Sequence, residues 1–279
     1  MKTLVLFGPT ASPRAAGPFH IEGVELISGT ERDIPASDAV LIFGGDGTIH
    51  RYLPELHAHR IPVLVVPAGS GNDFARSLGF HSEKAALQAW RQYCAGRNNV
   101  REIDLGFIDK DGKKILFCCV AGAGLDARAN ARANRMPPWL RRRAGYLIAG
   151  LRELAGFRPI QFEVTTDTAG YSGRAFLVAV GNAHRYGGGM KVVPRARLDD
   201  GWLDVCIVGE MSRIKVLFCL PTIFFGAHIR LRGVEYFQAR KVRLDSAPGM
   251  ELYADGEPAG LTPLDIGLVP RALKVIVPA

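Results

Sequence analysis

The chain has 279 residues, which suits two modest domains or one large one. Hydrophobic residues make up 48% of it and charged residues 22%, a balance that excludes an intrinsically disordered protein. The formal net charge of +8 favours anionic partners such as nucleotides, anionic lipid surfaces or nucleic acid, although the same excess also occurs in proteins that use it for solubility alone.

Cysteine usage and the apolar runs indicate the compartment. The chain has five cysteines, an odd number with no CxxC pair, which argues against a disulfide framework or a zinc cage. The N-terminal apolar run stops at Gly8-Pro9, too early for a signal peptide. The most apolar later stretch, 216–227, is shorter than the roughly 18 residues that a membrane-spanning helix needs. We therefore expect a cytoplasmic protein that meets the inner face of the membrane only peripherally.

Short apolar runs alternate with helical patterns in the first part of the chain. The strand-like runs are 4–7, 24–27, 39–43 and 63–66, and the helical patterns cover 49–60 and 83–95. Nearly continuous apolar strands between helices are typical of a parallel sheet covered on both faces. The sequence predicts a doubly wound, mostly parallel α/β domain over residues 1–117, to which a last strand near 271–279 can return.

Strand-like runs follow one another more closely from about residue 115 onward. They are 115–120, 160–165, 174–180, 203–208, 242–244 and 251–254, with turn signals between them. This spacing is typical of an antiparallel sandwich. We predict a β-sandwich domain over residues 118–270, with one basic helical insertion at about 127–154.

The first glycine-rich loop, Gly44-Gly45-Asp46-Gly47-Thr48, stands between an apolar strand and a helical pattern. Glycines at a strand end let backbone N–H groups approach phosphate oxygens closely. A carboxylate in such a loop repels phosphate unless a cation intervenes, so Asp46 indicates either Mg²⁺ or a tightly defined hydrogen-bonding role. The alternative is a structural glycine turn in which Asp46 caps a helix.

The second loop, 67–76, reads Pro-Ala-Gly-Ser-Gly-Asn-Asp-Phe-Ala-Arg and also follows an apolar strand. Gly69 and Gly71 can bend the backbone around a ligand, and Asn72 or Asp73 can cap the following helix. Neither loop is a Walker A motif, because neither ends in Gly-Lys-Ser or Gly-Lys-Thr. Two such loops at the ends of neighbouring strands predict a single ligand-binding crevice.

The two loops together resemble those of the diacylglycerol kinase catalytic family, which includes the soluble bacterial lipid kinases and the sphingosine kinases. Later motifs continue the resemblance: 122–127, 181–189 with Pro194, 199–205 and 255–258. The resemblance covers about residues 43 to 258 in one order. The first loop alone is far less specific, since NAD kinases share it.

That resemblance implies an ATP-dependent lipid kinase that uses Mg²⁺ and transfers the γ-phosphoryl group of ATP to the hydroxyl of a lipid alcohol, diacylglycerol or a related one. It also implies Ser28 or Thr30 as an ATP contact. The nucleotide-binding residues that it implies are Gly44, Gly45, Asp46, Gly47, Thr48, Ile49, His50, Gly69, Ser70, Asn72 and Asp73.

The resemblance further implies Glu257 and Asp46 as catalytic residues, with Glu257 as the proton acceptor. A lipid hydroxyl is a poor nucleophile, so a carboxylate has to take its proton as attack proceeds. Without the resemblance, Glu257 would be interpreted as an ordinary solvated glutamate in a turn, and Asp126 is the next candidate base. The Mg²⁺ site that the resemblance implies in the second domain consists of Asp200 and the carbonyls of Leu203 and Val205.

Arginines in the basic insertion predict contact with an anionic lipid surface. They surround Trp139 and are Arg128, Arg132, Arg135, Arg141, Arg142 and Arg143. The alternative is a solvated helix with a buried tryptophan. Nucleic acid is not an expected partner, because no recognised binding module accompanies the charge.

Two other functions remain open from the sequence. A NAD kinase accounts for Gly44 to Thr48, but it does not account for 67–76 or 255–257. A catalytically inactive lipid- or nucleotide-binding relative is favoured by the short segment between Gly8 and Gly44. The sequence also leaves open the lipid acceptor and the oligomeric state.

Overall fold

The structure, a computed structural model, describes residues 1–134, 136 and 148–279. They form two compact units. The first unit contains Met1–Leu105 and Pro270–Ala279, and the second contains Gly106–Val269.

The first unit is built on a parallel sheet of apolar strands. Its strands are β1 (Lys2–Phe7), β2 (Glu25–Ser28), β3 (Ala39–Gly44), β4 (Val63–Pro67) and the end of the last strand of the chain, in the order β2-β1-β3-β4-last. The strand pairings between them are parallel, including that of Val275 with Val63. Strand β3 is buried along its whole length, as expected for a central strand covered on both faces.

Helical segments in the first unit form two groups. Helix α1 (Asp46–His59) packs against a 3-10 helix at Glu31–Ala36, and helix α3 (Glu83–Cys94) packs against another at Pro13–Phe19. The indole N–H of the buried Trp90 donates to the carbonyl of Phe19 at 2.9 Å, which fixes the second group. The short helix α2 (Asp73–Ser77) lies between α1 and α3 in the sequence. The prediction of a doubly wound α/β sheet is confirmed.

The second unit is an antiparallel β-sandwich. Its strands are β5 (Val100–Lys110), β6 (Lys113–Phe117), β7 (Val120–Gly124), β8 (Ile160–Thr166), β9 (Gly170–Gly181), β10 (Leu203–Gly209), β11 (Val234–Ala239), β12 (Lys241–Ala247), β13 (Glu251–Ala254), β14 (Glu257–Leu261) and β15 (Leu264–Ile276). The main path runs β14-β13-β7-β9-β8-β12-β15, and β9 also pairs with β10, which pairs with β11. Their inward side chains form one apolar core that includes Phe117, Phe162 and Leu244. The predicted sandwich is confirmed.

Helices of the second unit lie in its connections. They are α4 (Leu125–Asn134), α5 (148–156), α6 (Arg213–Ile223) and a 3-10 helix at Ala227–Arg230. The predicted basic insertion at 127–154 overlaps α4 and α5, and its central part lies outside the described residues.

The chain passes between the units twice, within β5 and within β15. The sequence-based boundary at residue 117 differs from this arrangement, because the structure places the end of β5 and all of β6 in the second unit. The reason is local pairing: β6 is the hairpin partner of β5, from Gly106↔Phe117 to Lys110↔Lys113.

The prediction of one strand over 115–120 is wrong. Strand β6 ends at Phe117 and β7 begins at Val120, so the chain bends at Cys118 and Cys119. Main-chain groups of this bend bond to Asp255 and Asn182, which are distant in sequence, and local apolar content does not reveal them.

Candidate functional site

Two loops of the first unit touch at a pair of glycines. The loop after β3 contains Gly45, and the loop after β4 contains Gly69. A Cβ atom added to Gly69 would lie 2.4 Å from the Cα of Gly45, which is closer than any real contact. The loops therefore depend on glycine at this crossing, and the crossing brings the ends of two adjacent parallel strands together.

Asp46 joins the two loops by hydrogen bonds. One carboxylate oxygen accepts the backbone N–H of Phe74 at 2.9 Å, and the other accepts that of Asp73 at 3.1 Å. These N–H groups belong to the first turn of α2, where no intrahelical acceptor exists. These two bonds give Asp46 a hydrogen-bonding role, and its contact with Mg²⁺ stays a prediction. It caps α2 from another loop, whereas the N-cap position of its own helix is Gly45.

Asn72 closes the second loop on itself. Its side-chain oxygen accepts the N–H of Gly69 at 2.8 Å, and its amide nitrogen donates to the carbonyl of the same glycine at 2.9 Å. The backbone of Asn72 is left-handed, with φ of 56°, a conformation that asparagine tolerates better than most residues. Asn72 occupies the N-cap position of α2 without a side-chain capping bond, because Asp46 takes that role.

The other predicted nucleotide residues lie in the same two loops or in the helices that follow them. Gly44 lies against Thr48, since a Cβ on Gly44 would come within 2.6 Å of the threonine Cβ. Ile49 is buried on α1, and His50 beside it is partly exposed. Gly47 and Ser70 are exposed, whereas Asp73 is buried.

The two alternative ATP contacts lie around the end of β2. Ser28 is the last residue of β2, and Thr30 follows two residues later. The hydroxyl of Thr30 donates to Asp33 at 3.3 Å, so this side chain already takes part in the first turn of a 3-10 helix.

In the second unit, the turn before Glu257 is held by Asp255. Both carboxylate oxygens of Asp255 accept backbone N–H groups, from Cys118 at 2.7 Å, Cys119 at 2.8 Å and Val120 at 3.2 Å. Asp255 itself has a left-handed backbone, with φ of 51°. Glu257 follows as the exposed first residue of β14, paired with Ala254. The sequence singled out Glu257, but Asp255 is the residue that positions its turn.

Asp126 has a very different environment from Glu257. It is buried in the first turn of α4, against Gly122 of β7 and within hydrogen-bonding reach of the Tyr186 hydroxyl. Burial raises the pKa of its carboxyl to about 6, and the hydrogen bond from Tyr186 opposes that shift. The glycine-rich turn in the sequence indicated Asp126, whereas Tyr186 could be found only from the fold.

The predicted Mg²⁺ residues lie at the start of β10. Asp200 is partly buried in the preceding turn and accepts the N–H of Trp202 at 3.0 Å. Leu203 and Val205 lie opposite Ala239 and Phe237 of β11. Along a strand of an antiparallel sheet, every second residue directs its main-chain N–H and C=O groups to the same neighbouring strand. The N–H of Gly209 donates to the carbonyl of Gly233, on the side of β11, so the carbonyls of Leu203 and Val205 also point towards β11. A carbonyl has two lone pairs, so this pairing is compatible with a cation ligand. The Mg²⁺ site stays a prediction.

A second carboxylate, Asp204, was missed by the sequence analysis. It is fully buried, accepts the Tyr236 hydroxyl at 2.6 Å and accepts the side-chain amide of Gln238 at 3.2 Å. Burial raises its pKa despite these two hydrogen bonds. An aspartate inside the otherwise apolar run 203–208 was the available signal, but its partners lie on β11, which the sequence analysis did not predict.

Part of the predicted arginine cluster is described. Arg132 forms an ion pair with Glu153, and the guanidinium of Arg128 lies 5.1 Å from the centre of the Phe157 ring. Arg135, Trp139 and Arg141 to Arg143 lie outside the described residues. Both described arginines already have partners within the unit, so they give no independent support for a lipid contact.

Comparison with known proteins matches both units to family models. Residues 22–108 match the diacylglycerol kinase catalytic domain, and residues 119–277 match the YegS C-terminal NAD kinase beta sandwich-like domain. A curated relative, a diacylglycerol kinase from Mycobacterium tuberculosis, is 37% identical over 275 residues, covering 92% of this chain and 85% of the relative.

Solved structures share the fold. A diacylglycerol kinase from Bacillus anthracis matches with a TM-score of 0.71 and 18% identity, over 99% of this chain and 96% of that one. An NAD kinase from Archaeoglobus fulgidus, solved in complex with ATP, matches with a TM-score of 0.60 and 14% identity, over 100% and 94% of the two chains. At these identities the likeness concerns the fold alone.

Proposed function

Since the chain belongs to the diacylglycerol kinase catalytic family, we propose that it is an ATP-dependent lipid kinase that phosphorylates a lipid hydroxyl. The observation that carries this proposal is the crossing of the Gly45 and Gly69 loops, which Asp46 holds together. Glycine-rich backbone at the ends of adjacent parallel strands suits a phosphate ligand, because no side chain keeps the phosphate from the N–H groups. We assign ATP to these loops, with Ser28 or Thr30 as a further contact.

In the proposed reaction, the lipid oxygen attacks the γ-phosphorus of ATP. The bond between that phosphorus and the bridging oxygen breaks, and ADP leaves. Glu257 takes the proton of the attacking hydroxyl, since it is exposed and its turn is fixed by the three N–H bonds to Asp255. Asp46 holds the two phosphate-binding loops together. Mg²⁺, when bound, neutralises charge on the phosphates.

A second cation is proposed at Asp200 with the carbonyls of Leu203 and Val205. The donor set is all oxygen, as Mg²⁺ prefers, and it lies at the junction of a turn and a strand. We assign this ion a structural role in the second unit.

The lipid acceptor is proposed to be a diacylglycerol-like alcohol, in line with the name of the Mycobacterium tuberculosis relative. Such a substrate resides in a bilayer, so the protein is proposed to work at the cytoplasmic face of a membrane. Among the described residues, no helix is both long and apolar enough to cross a membrane.

The test is transfer of labelled phosphate from ATP to a panel of lipids, with the variant Glu257→Gln. Gln keeps the size of the side chain but cannot accept a proton, so kcat should fall by about 10²–10⁴. The dissociation constant for ATP should stay near that of the parent, because the nucleotide is assigned to the other unit.

Glu251→Gln is the matched control, since Glu251 is also an exposed glutamate at the start of a strand in the same hairpin. It should retain the parental rate. A parallel loss of ATP affinity and rate in Glu257→Gln would contradict the assignment of the base. If the parent bound ATP but transferred phosphate to none of the lipids, the chain would be the catalytically inactive relative.

A further inference from the structure

Large apolar side chains are exposed mainly in one segment of the second unit. Five of the eight exposed large hydrophobic residues among the described part of the chain lie between residues 214 and 231. We call these five the α6 face: Ile214, Leu217, Phe218, Phe225 and Leu231. The exposed fraction reaches 73% for Phe218 and 82% for Phe225. Concentrations of this kind mark interaction sites, whereas single exposed apolar residues do not.

Helix α6 is apolar on both sides. Its inward stripe, Val216, Cys219 and Ile223, is buried in the second unit. Its outward side carries Leu217 and Phe218 of the α6 face, where an ordinary surface helix carries charged residues. Packing within the unit therefore explains only half of the apolar content of this helix.

The unit holds the α6 face firmly in place. The Ser212 side chain accepts the N–H of Lys215 and caps the start of α6. At the end of α6, the N–H of Lys191 donates to the carbonyl of Ile223 at 3.0 Å. The buried ring of His228 bonds to the carbonyl of Val192 at 2.9 Å. Phe218 and Phe225 are thus held outward by a fixed scaffold.

The charged residues within the segment that carries this face all have one sign. Between Glu210 and Glu235 the sequence contains Arg213, Lys215, Arg230 and Arg232, and no aspartate or glutamate. All four cations are exposed. An apolar face with surrounding cations complements a bilayer that carries anionic head groups, because the side chains enter the acyl boundary while the cations meet phosphate.

We propose that the α6 face is a membrane-docking surface that inserts Phe218 and Phe225 into the interface of an anionic bilayer. Helix α6 has 11 residues, far fewer than the roughly 20 that span a bilayer, so the contact is peripheral. This docking does not depend on the proposed kinase activity, because it can be measured without ATP or a lipid acceptor.

The test is sedimentation of the full chain with vesicles made from equal parts of phosphatidylcholine and phosphatidylglycerol. The double variant Phe218→Ser/Phe225→Ser should bind at least about tenfold more weakly, because two aromatic rings no longer enter the interface. Both side chains are mostly exposed, so the variant should keep the parental circular dichroism spectrum.

Two pairs of matched variants distinguish the α6 face from a general effect of losing exposed apolar or basic side chains. Leu217→Ser should weaken binding, whereas Leu261→Ser should not, although Leu261 is more exposed than Leu217. Replacing Lys215, Arg230 and Arg232 by Gln should weaken binding to the anionic vesicles. The same replacement of Lys84, Arg91 and Arg97, exposed on or beside α3, should have a smaller effect.

Parental vesicle binding by Phe218→Ser/Phe225→Ser would overturn the proposal. If the parent were dimeric by light scattering and this variant monomeric with unchanged vesicle binding, the α6 face would instead be covered by a second copy. Loss of vesicle binding with intact phosphate transfer to a soluble short-chain lipid would support docking and leave the catalytic proposal standing.

Discussion

At the scale of single residues, Gly69 carries the closest backbone contact in the nucleotide loops. Gly69→Ala would place a Cβ 2.4 Å from the Cα of Gly45, and neither backbone can give way without separating the loops. The dissociation constant for ATP should rise by at least about tenfold, which corresponds to roughly 1.4 kcal/mol. Isothermal titration would measure this.

Gly17→Ala provides the control, since a Cβ at Gly17 would meet nothing within 4 Å. It should bind ATP like the parent. Equal affinities of Gly69→Ala and the parent would show that the crossing of the two loops does not form the nucleotide site.

Asp126 should make stability depend on pH. Its folded pKa of about 6 lies above the ordinary aspartate pKa of 3.8, so between these values the folded state keeps a proton that the unfolded state has lost. The free energy of unfolding therefore falls as pH rises through this window, by up to about 3 kcal/mol for a difference of about two units. Asp126→Asn should remove that slope.

Urea unfolding at several pH values would test this prediction. The stability of Asp126→Asn relative to the parent should increase as the pH rises from about 4 to about 7. The exposed Asp111 lies in a left-handed turn that accepts asparagine, so Asp111→Asn is a suitable control without such a trend. A constant difference between parent and Asp126→Asn would mean that folding does not raise the pKa of Asp126.

At the scale of elements, the bend between β6 and β7 depends on a distant carboxylate. Asp255→Asn would place an amide NH₂ where carboxylate oxygens now accept three N–H groups. Leaving such buried groups unsatisfied costs about 1–3 kcal/mol each, so the melting temperature should fall by several degrees.

Turnover should fall in Asp255→Asn as well, since Glu257 follows the same turn. Asp245→Asn is the control, because it also replaces a carboxylate by an amide, but in β12 and not in the turn before β14. Retention of both parental turnover and parental melting temperature by Asp255→Asn would refute a positioning role for the Asp255 carboxylate.

This bend also shows why some elements were predictable and others were not. Helices α1 and α3 carry their own signals, and Ser82 caps α3 by accepting the N–H of Ala85. The break at Cys118 depends on a partner 137 residues away, which no local pattern contains. Strand β14 was missed because it contains Pro258 and Gly260, which usually interrupt strands.

The candidate site likewise has features with a local sequence signal and features that depend on distant partners. Glycine spacing located the loops around Gly45 and Gly69, because the glycine residues themselves indicate that the backbone is closely approached there. The link from Asp46 to α2 and the buried environment of Asp204 depend on how separate segments pack. Residue types alone therefore located the loops but not the bonds that hold them.

At the scale of the whole molecule, the first unit needs the last residues of the chain. Removing 270–279 would take Leu273, Val275 and Ile276 out of its core, and burial of each contributes about 1.5–3 kcal/mol. ATP binding should be lost although both glycine loops remain, and hydrogen exchange in β3 should accelerate. Removing only the exposed Ala279 should change neither property. Intact ATP binding after removal of 270–279 would show that the unit is stable without its fifth strand.

The two passages of the chain within β5 and β15 also determine the order in which the protein can be completed during synthesis. The ribosome makes most of the first unit, then the entire second unit, and only afterwards the strand that closes the first unit. Nascent β4 consequently has one unpaired edge until β15 has been synthesised. Exposed strand edges invite pairing with other chains. Expression of this protein is therefore expected to be more sensitive to termination just before residues 270–276 than the small number of residues in that strand segment suggests.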